Sequence, residues 1–600
     1  MKKIAASALL ATALLAPQAS MAQGGDADPR PPLAVVDANG VEVFDGGVRL
    51  QIPLISYGSS ARPLGVSLSL ASPNGSTSAP LDWPMASVLG FAFKEGLSTN
   101  YFAVNLYTVH GTVYRVQMPG GNGEYKAIAG GRNYQSDGSY YMTYFGQNPA
   151  TYMNFSDPSR DGVYTMDGTR GVFSSGSNTF DRFEFPDGEV WKLYYDQFAR
   201  LKFIVSNRGY GLQYSYVRNT AVSGGSTDPN FGSLYAPTRI TFYNRSSVYC
   251  NEAALVDCAS VTALPTAVTF TYDDTNRALT INRPGDTQGY RIVFGAAGIV
   301  TTGRVGSTGS EKHYSYGYDS DTGQVQVVTQ VTDIHGTWNY LTTLDPDQGG
   351  GVGPTGSHGV REDPDGHQIV MSGSFIDDSI RGEMDENYNS FGYGWARGEL
   401  VAETRPDGSG LDYEVDARGN ITKRKIKPAS GSGQPVLETQ TTYASECLNP
   451  RICNRPLTIT DRNNNTTSFT YNSVHGGVLT ETGPAVGGIQ PVKRYSYIQR
   501  YAWVKNSAGA YVQEATPIWV VSEMRFCRTT ATVSGACGGG TSDEVVTAYD
   551  YGPDSGPNNL LLRGVAVTAD GQTLRTCYGY DVNGNKIWET AARAGLTSCY

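Results

Sequence analysis

The stretch FIDDSIRGEMDEN, from Phe375 to Asn387, gathers Asp377, Asp378, Glu383, Asp385 and Glu386 within a few residues of one another. Two such carboxyl groups at a fixed separation are what a glycan-cleaving hydrolase uses as its acid and its nucleophile or base. Nothing in the sequence fixes that separation, and an exposed acidic loop accounts for the same residues. A second cluster, His358, Glu362, Asp363, Asp365 and His367, offers imidazole and carboxylate ligands to a cation, yet its Gly and Asp content is equally that of a solvated turn. DSDTG at Asp319 to Gly323 begins like a calcium loop but lacks the third acidic ligand and the distal bidentate Glu. His110, His313, His335 and His475 stand apart from any such cluster, and there is no G-x-S-x-G elbow, no H-E-x-x-H and no phosphate loop. The expectation is a chain that is not an enzyme and carries no catalytic, cofactor or metal site.

The cysteines are Cys250, Cys258, Cys447, Cys453, Cys527, Cys537, Cys577 and Cys599. An even number fits disulfides, and close spacing suggests the local pairs 250 with 258, 447 with 453 and 527 with 537. Cys577 and Cys599 would then join by elimination, although sequence alone leaves the connectivity open. No C-x-x-C occurs and no His lies beside these cysteines, which argues against zinc. The oxidising compartment that disulfides need is announced by the first residues. A basic MKK, a short apolar run and the small residues before Gln23 read as a secretory leader, residues 1–22, too short to span a membrane. No later stretch reaches membrane length, so the expectation is a secreted or cell-surface bacterial protein.

Formal charge is −10 and becomes more negative once Lys2 and Lys3 leave with the leader. A nucleic-acid partner is excluded on that balance, since KRKIK at Lys423 to Lys427 is too short a basic stripe. Its alternation places Lys423, Lys425 and Lys427 on one face of a strand. Gly, Tyr and Pro are plentiful while charged residues make up only 17% of the chain, a composition of strands and turns.

The elements that would position these groups repeat. VRLQIPLISYG and VSLSLAS alternate with a period of two within a β-rich N-terminal domain, residues 23–180. Beyond it, strand-turn-strand units recur: FEFPDGEVWKLYYDQFARLKFI from Phe183, YDDTNRALTINRPG from Tyr272, YGYDSDTGQVQVVTQVTDIHG from Tyr316, TRPDGSGLDYEVDARGNITKRKI from Thr404 and YGYDVNGNKIWET from Tyr578. The turn residues are Tyr195-Asp196, Tyr272-Asp273, Tyr318-Asp319 with Gly323, Asp416 with Gly419, and Tyr580-Asp581 with Gly584. In each, the Asp side chain can accept a backbone N–H two residues on, the Gly or Asn tolerates positive φ, and the Tyr ring covers neighbouring strands while its hydroxyl reaches water. Pro-Asp-Gly at Pro186 and Pro406 makes the opposite turn. Hairpins repeated in this way form one long antiparallel ribbon that buries a face only by curling or stacking.

Together these units resemble the YD-repeat, or Rhs, family of bacterial secreted and cell-surface proteins, with the resemblance running from Phe183 to Tyr600. Val415-Asp416 and Tyr471-Asn472 depart from the dipeptide, and cysteine-bearing insertions interrupt the spacing. The expected fold is all-β: a hairpin ribbon curled into an open or partial shell behind the N-terminal domain. A first repeat block spans 181–345, a Gly-rich linker 346–360 and a second block 361–600. The resemblance implies a non-enzymatic shell-like scaffold for toxin delivery or cell-surface interaction, with a C-terminal effector or partner chain completing the shell. Because the pattern persists to Gly584, the chain is expected to hold no effector of its own, either as a shortened form of a longer protein or as an open ribbon that a partner completes. The alternatives are an adhesin binding cell-surface glycans through Trp191, Trp338, Trp395, Trp503, Trp519 and Trp588, and the glycan-cleaving hydrolase.

Overall fold

The structure is a computed structural model that describes residues 36–43, 46–57, 64–71, strands between 94 and 144, 162–164 and 168–599. Within the last range, 174–179, 199, 221–236, 274, 296–297, 307–310, 319–325, 345–356, 375–378, 397–398, 417–419 and 447 are excepted. The leader, His110, Asp319, Gly323, Asp377, Asp378, Gly419 and Cys447 all lie outside the described residues.

From Gly162–Tyr164 to Lys586–Glu589 each strand of the ribbon pairs with the next, with the hairpins Trp503–Lys505/Tyr511–Gln513 and Thr532–Val533/Ala536–Cys537 standing outside it, and every ladder is antiparallel. No ladder joins the first strand of this ribbon to its last among the described residues, so the sheet is not closed into a barrel. Among the described residues of this ribbon, the helical pieces are a single 3-10 turn, Glu252–Ala254, within the Cys250–Cys258 loop, and one α-helical turn, Ala259–Thr262, directly after it. Gly162–Tyr164 and Arg170–Phe173 already belong to the ribbon, ahead of the boundary at residue 180. Gly336–Leu344 pairs directly with Ser357–Glu362, so the sheet continues across the Gly-rich stretch between them.

Alternation decides which face is buried. Ala267–Asp273 turns Val268 and Phe270 to the core, while Thr269 and Thr271 face the other way. Its partners continue the row, Val268 opposite Ile240 and Phe270 opposite Ile281. Into this face packs the segment that precedes the ribbon, with Val41, Val43, Val48, Leu54, Leu64 and Leu68 in one apolar cluster with Trp191, Leu212, Phe242 and Ile292. Polar groups fix its position. Val328 N–H donates to Gly46 O at 2.9 Å, Tyr314 Oη to Asn39 O at 2.7 Å and Tyr340 Oη to Asp37 Oδ2 at 2.6 Å. A Cβ on Gly46 would lie 2.6 Å from Val327 Cβ, so the backbone there approaches as closely as only glycine permits. The opposite face is covered locally by the cysteine insertion, where Phe203, Val205, Tyr243, Cys250 and Val261 form a second cluster.

Candidate functional site

The repeat turns share one backbone. At Asp581–Asn585 the Asp581 N–H donates to Asn585 O and the Gly584 N–H to Asp581 O, a type I turn closed by a residue at φ +90°. Phe185–Glu189 repeats this pattern through Phe185 N–H to Glu189 O and Gly188 N–H to Phe185 O. The Pro-Asp-Gly turn is therefore the same turn as the Tyr-Asp turn, with its aspartate moved from the first position to the third. Asp581 Oδ1 accepts the N–H groups of Asn583 and Asn585 at 2.9 and 2.8 Å, whereas Asp187 Oδ1 accepts that of Glu189 at 3.1 Å. Asp196 and Asp416 cap their turns as Asp581 does. Asp273 instead takes Asn276, through its N–H and its side chain.

The Tyr272 and Tyr580 hydroxyls go to backbone carbonyls rather than to water, and tyrosines beside other turns do the same. Tyr216 Oη donates to Leu201 O, Tyr272 to Pro237 O, Tyr316 to Ile299 O and Tyr580 to Leu562 O, each the opening carbonyl of the strand before its own. Tyr471 and Pro456 O make the same bond at 2.6 Å. Burial pushes the Tyr471 and Tyr580 hydroxyls up to about 12, as expected of donors held away from solvent. The correction has a simple cause. The accepting carbonyl lies at or just before the start of the preceding strand, and the ring is long enough to bring a donor to it; a bulge against the following strand accompanies Tyr216, Tyr316, Tyr471 and Tyr580. Tyr195 is half-buried on the core, and Tyr318 stays exposed at its strand end.

Because consecutive strands reverse direction, turns alternate between the two margins of the ribbon. The Pro-Asp-Gly turns fall on one margin and the Tyr-Asp turns on the other. The two margins meet in a seam. Trp519 N–H donates to Asp187 O at 2.7 Å, and Asn207 Nδ2 to Thr516 Oγ1 at 3.0 Å. Asn244 Nδ2 donates to Asn558 Oδ1 at 2.6 Å and to Val582 O at 2.9 Å, while Arg245 pairs with Glu514. A Cβ on Gly168 would lie 2.8 Å from Arg451 Cα, and one on Gly188 2.9 Å from Pro517 O. The chain separations of 309 and 314 residues across Asn207 and Asn244 measure one coil of a spiral. A cavity of about 10 Å³ lies in this seam among Arg208, Tyr210, Asn244, Trp503, Asn558 and Asn559, room for one water and no substrate.

Charge is buried beside it. Glu189 accepts from Trp191 Nε1, Ser206 Oγ and Arg208 Nε at 2.7, 2.8 and 2.7 Å, and Asp187 accepts from Arg208 NH2 at 2.8 Å. Burial opposes the Arg208 charge, but Glu189 and Asp187 more than offset it and hold the guanidinium above its ordinary value. His475 stacks between Tyr497 and Trp519 at 4.3 and 4.7 Å and accepts the Gly477 N–H on Nδ1. Burial lowers its pKa to about 4, so the ring is neutral. Sequence reasoning missed this group: its members lie on two coils, and nothing in their local spacing joins them.

The other candidates are placed as follows. Cys250–Cys258, Cys527–Cys537 and Cys577–Cys599 are disulfides, and Cys453 is disulfide-bonded. Asp363, Asp365 and His367 bring their ligand atoms within 4.8 Å of one another, but Asp363 Oδ1 already caps the turn by accepting the N–H groups of Asp365 and His367. Asp385 does the same for Asn387 and Asn389, and hydrogen bonds from Asn389 hold its carboxyl below the usual range. Lys423 and Lys425 pair with Glu414, and Lys427 with Asp412. Trp191 is buried, Trp338 packs on the core, Trp503 and Trp519 are half-buried, and Trp588 is 49% exposed.

No family model matches the chain, and no curated protein matches it. Among solved structures, the crystal structure of TcdB2-TccC3-Cdc42 aligns at 12% identity and TM-score 0.35, over 82% of this chain and 23% of that one. TcdB2-TccC3-TEV aligns at 12% identity and TM-score 0.33, over 83% and 23%. A porin-like protein from Bacteroides uniformis ATCC 8492 gives 10% identity and TM-score 0.18, over 45% of this chain and 94% of that one. The chain spans less than a quarter of the length of the first two.

Proposed function

We propose that the chain is an exported, non-catalytic scaffold whose ribbon forms part of the wall of a shell, in a toxin-delivery or cell-surface assembly that an effector or partner chain completes. The observation that carries this reading is the seam. A ribbon whose Pro-Asp-Gly margin seats on its own Tyr-Asp margin one coil later makes a curved wall, and it does so without strand pairing between coils. The side chains that recur, Asp, Tyr and Asn, serve turns, strand caps and seam contacts. Export is supported by the leader-like residues 1–22 and by the disulfides, which persist in oxidising compartments. No helix among the described residues is long and apolar enough to cross a membrane.

The test is to express the chain with its leader in a bacterium, recover it from beyond the inner membrane, and assay it on a panel of polysaccharides. The expected outcome is an exported chain without titratable thiols and without turnover. Turnover that Glu383→Gln abolishes, while the circular dichroism spectrum stays unchanged, overturns the scaffold reading in favour of the hydrolase.

A further inference from the structure

Arg245 stands where the seam meets the first cysteine insertion. Its guanidinium pairs with Glu514 on the later coil, and its carbonyl accepts the Lys505 N–H at 2.8 Å. On its own coil the same guanidinium donates to Glu252 Oε1 at 3.1 Å, an oxygen that also accepts Tyr243 Oη at 2.9 Å. Burial opposes the Arg245 charge, and Glu514 with Glu252 more than offsets it. Glu252 belongs to the loop that Cys250–Cys258 closes. It is buried, while Asn251, Ala253, Ala254, Val256 and Asp257 around it are exposed. Asp257, at the far end of the loop, pairs with the Nζ of buried Lys202 at 2.6 Å. Beyond the loop Val261 is anchored in an apolar cluster with Phe203 and Tyr243, so the segment that the disulfide itself restrains is 251–257. The disulfides also differ in reach: Cys250 is buried but Cys258 only half-buried, whereas Cys527 and Cys537 are both buried.

We infer that Cys250–Cys258 is a thiol-exchange site that sets how firmly the two coils are held: a small thiol opens it, Glu252 then leaves Arg245, and the seam loosens there. A thiolate attacks Cys258 Sγ, the S–S bond breaks, and Cys250 leaves as a thiolate that takes a proton from solvent. A second thiolate displaces Cys258 from the mixed disulfide, and Cys258 is protonated in turn. Two electrons thus pass from two small thiols to the chain, and the small thiols depart as their own disulfide. With the ring open, residues 251–257 gain conformations that draw Glu252 away. The Arg245 guanidinium, no longer held from its own coil, is less well placed for Glu514, and Lys505 loses a fixed acceptor. The inference deepens the scaffold reading, on which its biological sense rests: a wall assembled in an oxidising compartment loosens on meeting one rich in thiols.

Graded treatment of the full, disulfide-intact chain with reduced glutathione tests this, with alkylation mapping of the thiols released and hydrogen exchange of the Lys505 amide. Cys250 and Cys258 are expected to become alkylated before Cys527 and Cys537, and the Lys505 amide to exchange about tenfold faster once they do. Amides of Ala278–Asn282 should stay as slow as before, showing that the sheet is intact. Cys250→Ser with Cys258→Ser opens this ring and no other, and should reproduce the faster exchange without glutathione. Glu252→Ala should do the same with the disulfide closed, whereas Cys527→Ser with Cys537→Ser should leave Lys505 unchanged. Opening of Cys527–Cys537 first overturns the inference. So does a Lys505 amide that stays slow when Cys250–Cys258 is open, or when Glu252 is replaced. These outcomes concern bonding across the seam; turnover of a polysaccharide, which would defeat the scaffold reading, is measured separately.

Discussion

Two stretches of the same ribbon are built on one turn and held by different forces. From Trp191 to Met371 the strands carry Val, Ile, Leu and Phe at alternate positions and bury them against the segment containing Val41 to Leu68. Between Met371 and Val478, the buried apolar side chains among the described residues are Cys453 and Pro456. There the strands read ITKRKIK, LETQTT and TTSFTY, and their side chains meet across strands as ion pairs and hydroxyl pairs. Lys425 meets Glu414 at 2.8 Å, Thr442 meets Thr458 at 2.6 Å and Thr470 meets Thr480 at 2.6 Å. Such pairs contribute roughly 0.2–1 kcal/mol each, less than the roughly 1.5–3 kcal/mol of burying a large apolar side chain. The turn thus specifies a hairpin in either stretch, while burial decides how firmly that hairpin is held.

The largest effect expected of this difference is a core truncation. Phe242→Ala, at a fully buried position, should cost about 3–5 kcal/mol, and Phe469→Ala, half-buried and stacked on Tyr471, about 1 kcal/mol. Native-state hydrogen exchange reads both locally, which matters because a chain of this length does not unfold as one unit. In the wild type, amides of Leu201–Ser206 should exchange far more slowly than those of Ile421–Lys427. Equal costs and equal protection would break the comparison.

His475 packs on Trp519, whose N–H bonds Asp187 O across the seam, and pH tests that joint. The folded pKa of about 4 lies below the ordinary value near 6.5, so the unfolded chain binds the proton first. Stability is then fully present above about pH 6.5 and is lost as pH falls towards 4, by ~1–3 kcal/mol. Asp187 works against this shift and Arg455 with it, both being smaller influences than burial. Denaturation midpoints at neutral and mildly acidic pH should diverge in the wild type and converge in His475→Phe. A pH dependence that His475→Phe leaves intact would place the titrating group elsewhere.

How much of this was legible follows from chain distance. The turn chemistry is contained in five residues, and the aspartate, the glycine and the alternation around Tyr580-Asp581 were readable as they stand. The partner of each tyrosine hydroxyl is less local. Tyr216 and Leu201 are 15 residues apart but Tyr272 and Pro237 are 35, so no fixed spacing announces the bond. The seam was not readable at all. Asn244 and Asn558 are separated by a whole coil, whose length depends on insertions such as Cys250–Leu264 that no repeat rule sets. The packing of Val41 and Leu68 inside the ribbon was hidden for the same reason, since an alternating strand states that it has a buried face but not what buries it.

Because the tyrosine caps are local, they should count equally in both stretches. Tyr216→Phe leaves Leu201 O without its donor, and Tyr471→Phe does the same to Pro456 O; each is expected to cost about 1–1.5 kcal/mol. Exchange of the amides next to the lost cap is the measurement. A large cost at Tyr216 with none at Tyr471 would mean that the caps act only where a core backs them.

The smallest effect separates the turn from everything packed on it. Tyr388 occupies the position that is Gly366, Gly408 and Gly584 in other turns, with φ +62° and 82% of its surface exposed. A left-handed conformation costs an ordinary side chain roughly 1–2 kcal/mol, and glycine gives back up to about 1 kcal/mol of that through the freedom it adds to the unfolded chain. Tyr388→Gly should therefore stabilise its hairpin by about 0.5 kcal/mol, visible as slower exchange at Asn389 and Ser390. Asn464, at the same position with φ +61°, tolerates that conformation better, so Asn464→Gly should gain less. If Tyr388→Gly instead loosens the hairpin, the exposed ring makes a contact that backbone geometry does not reveal.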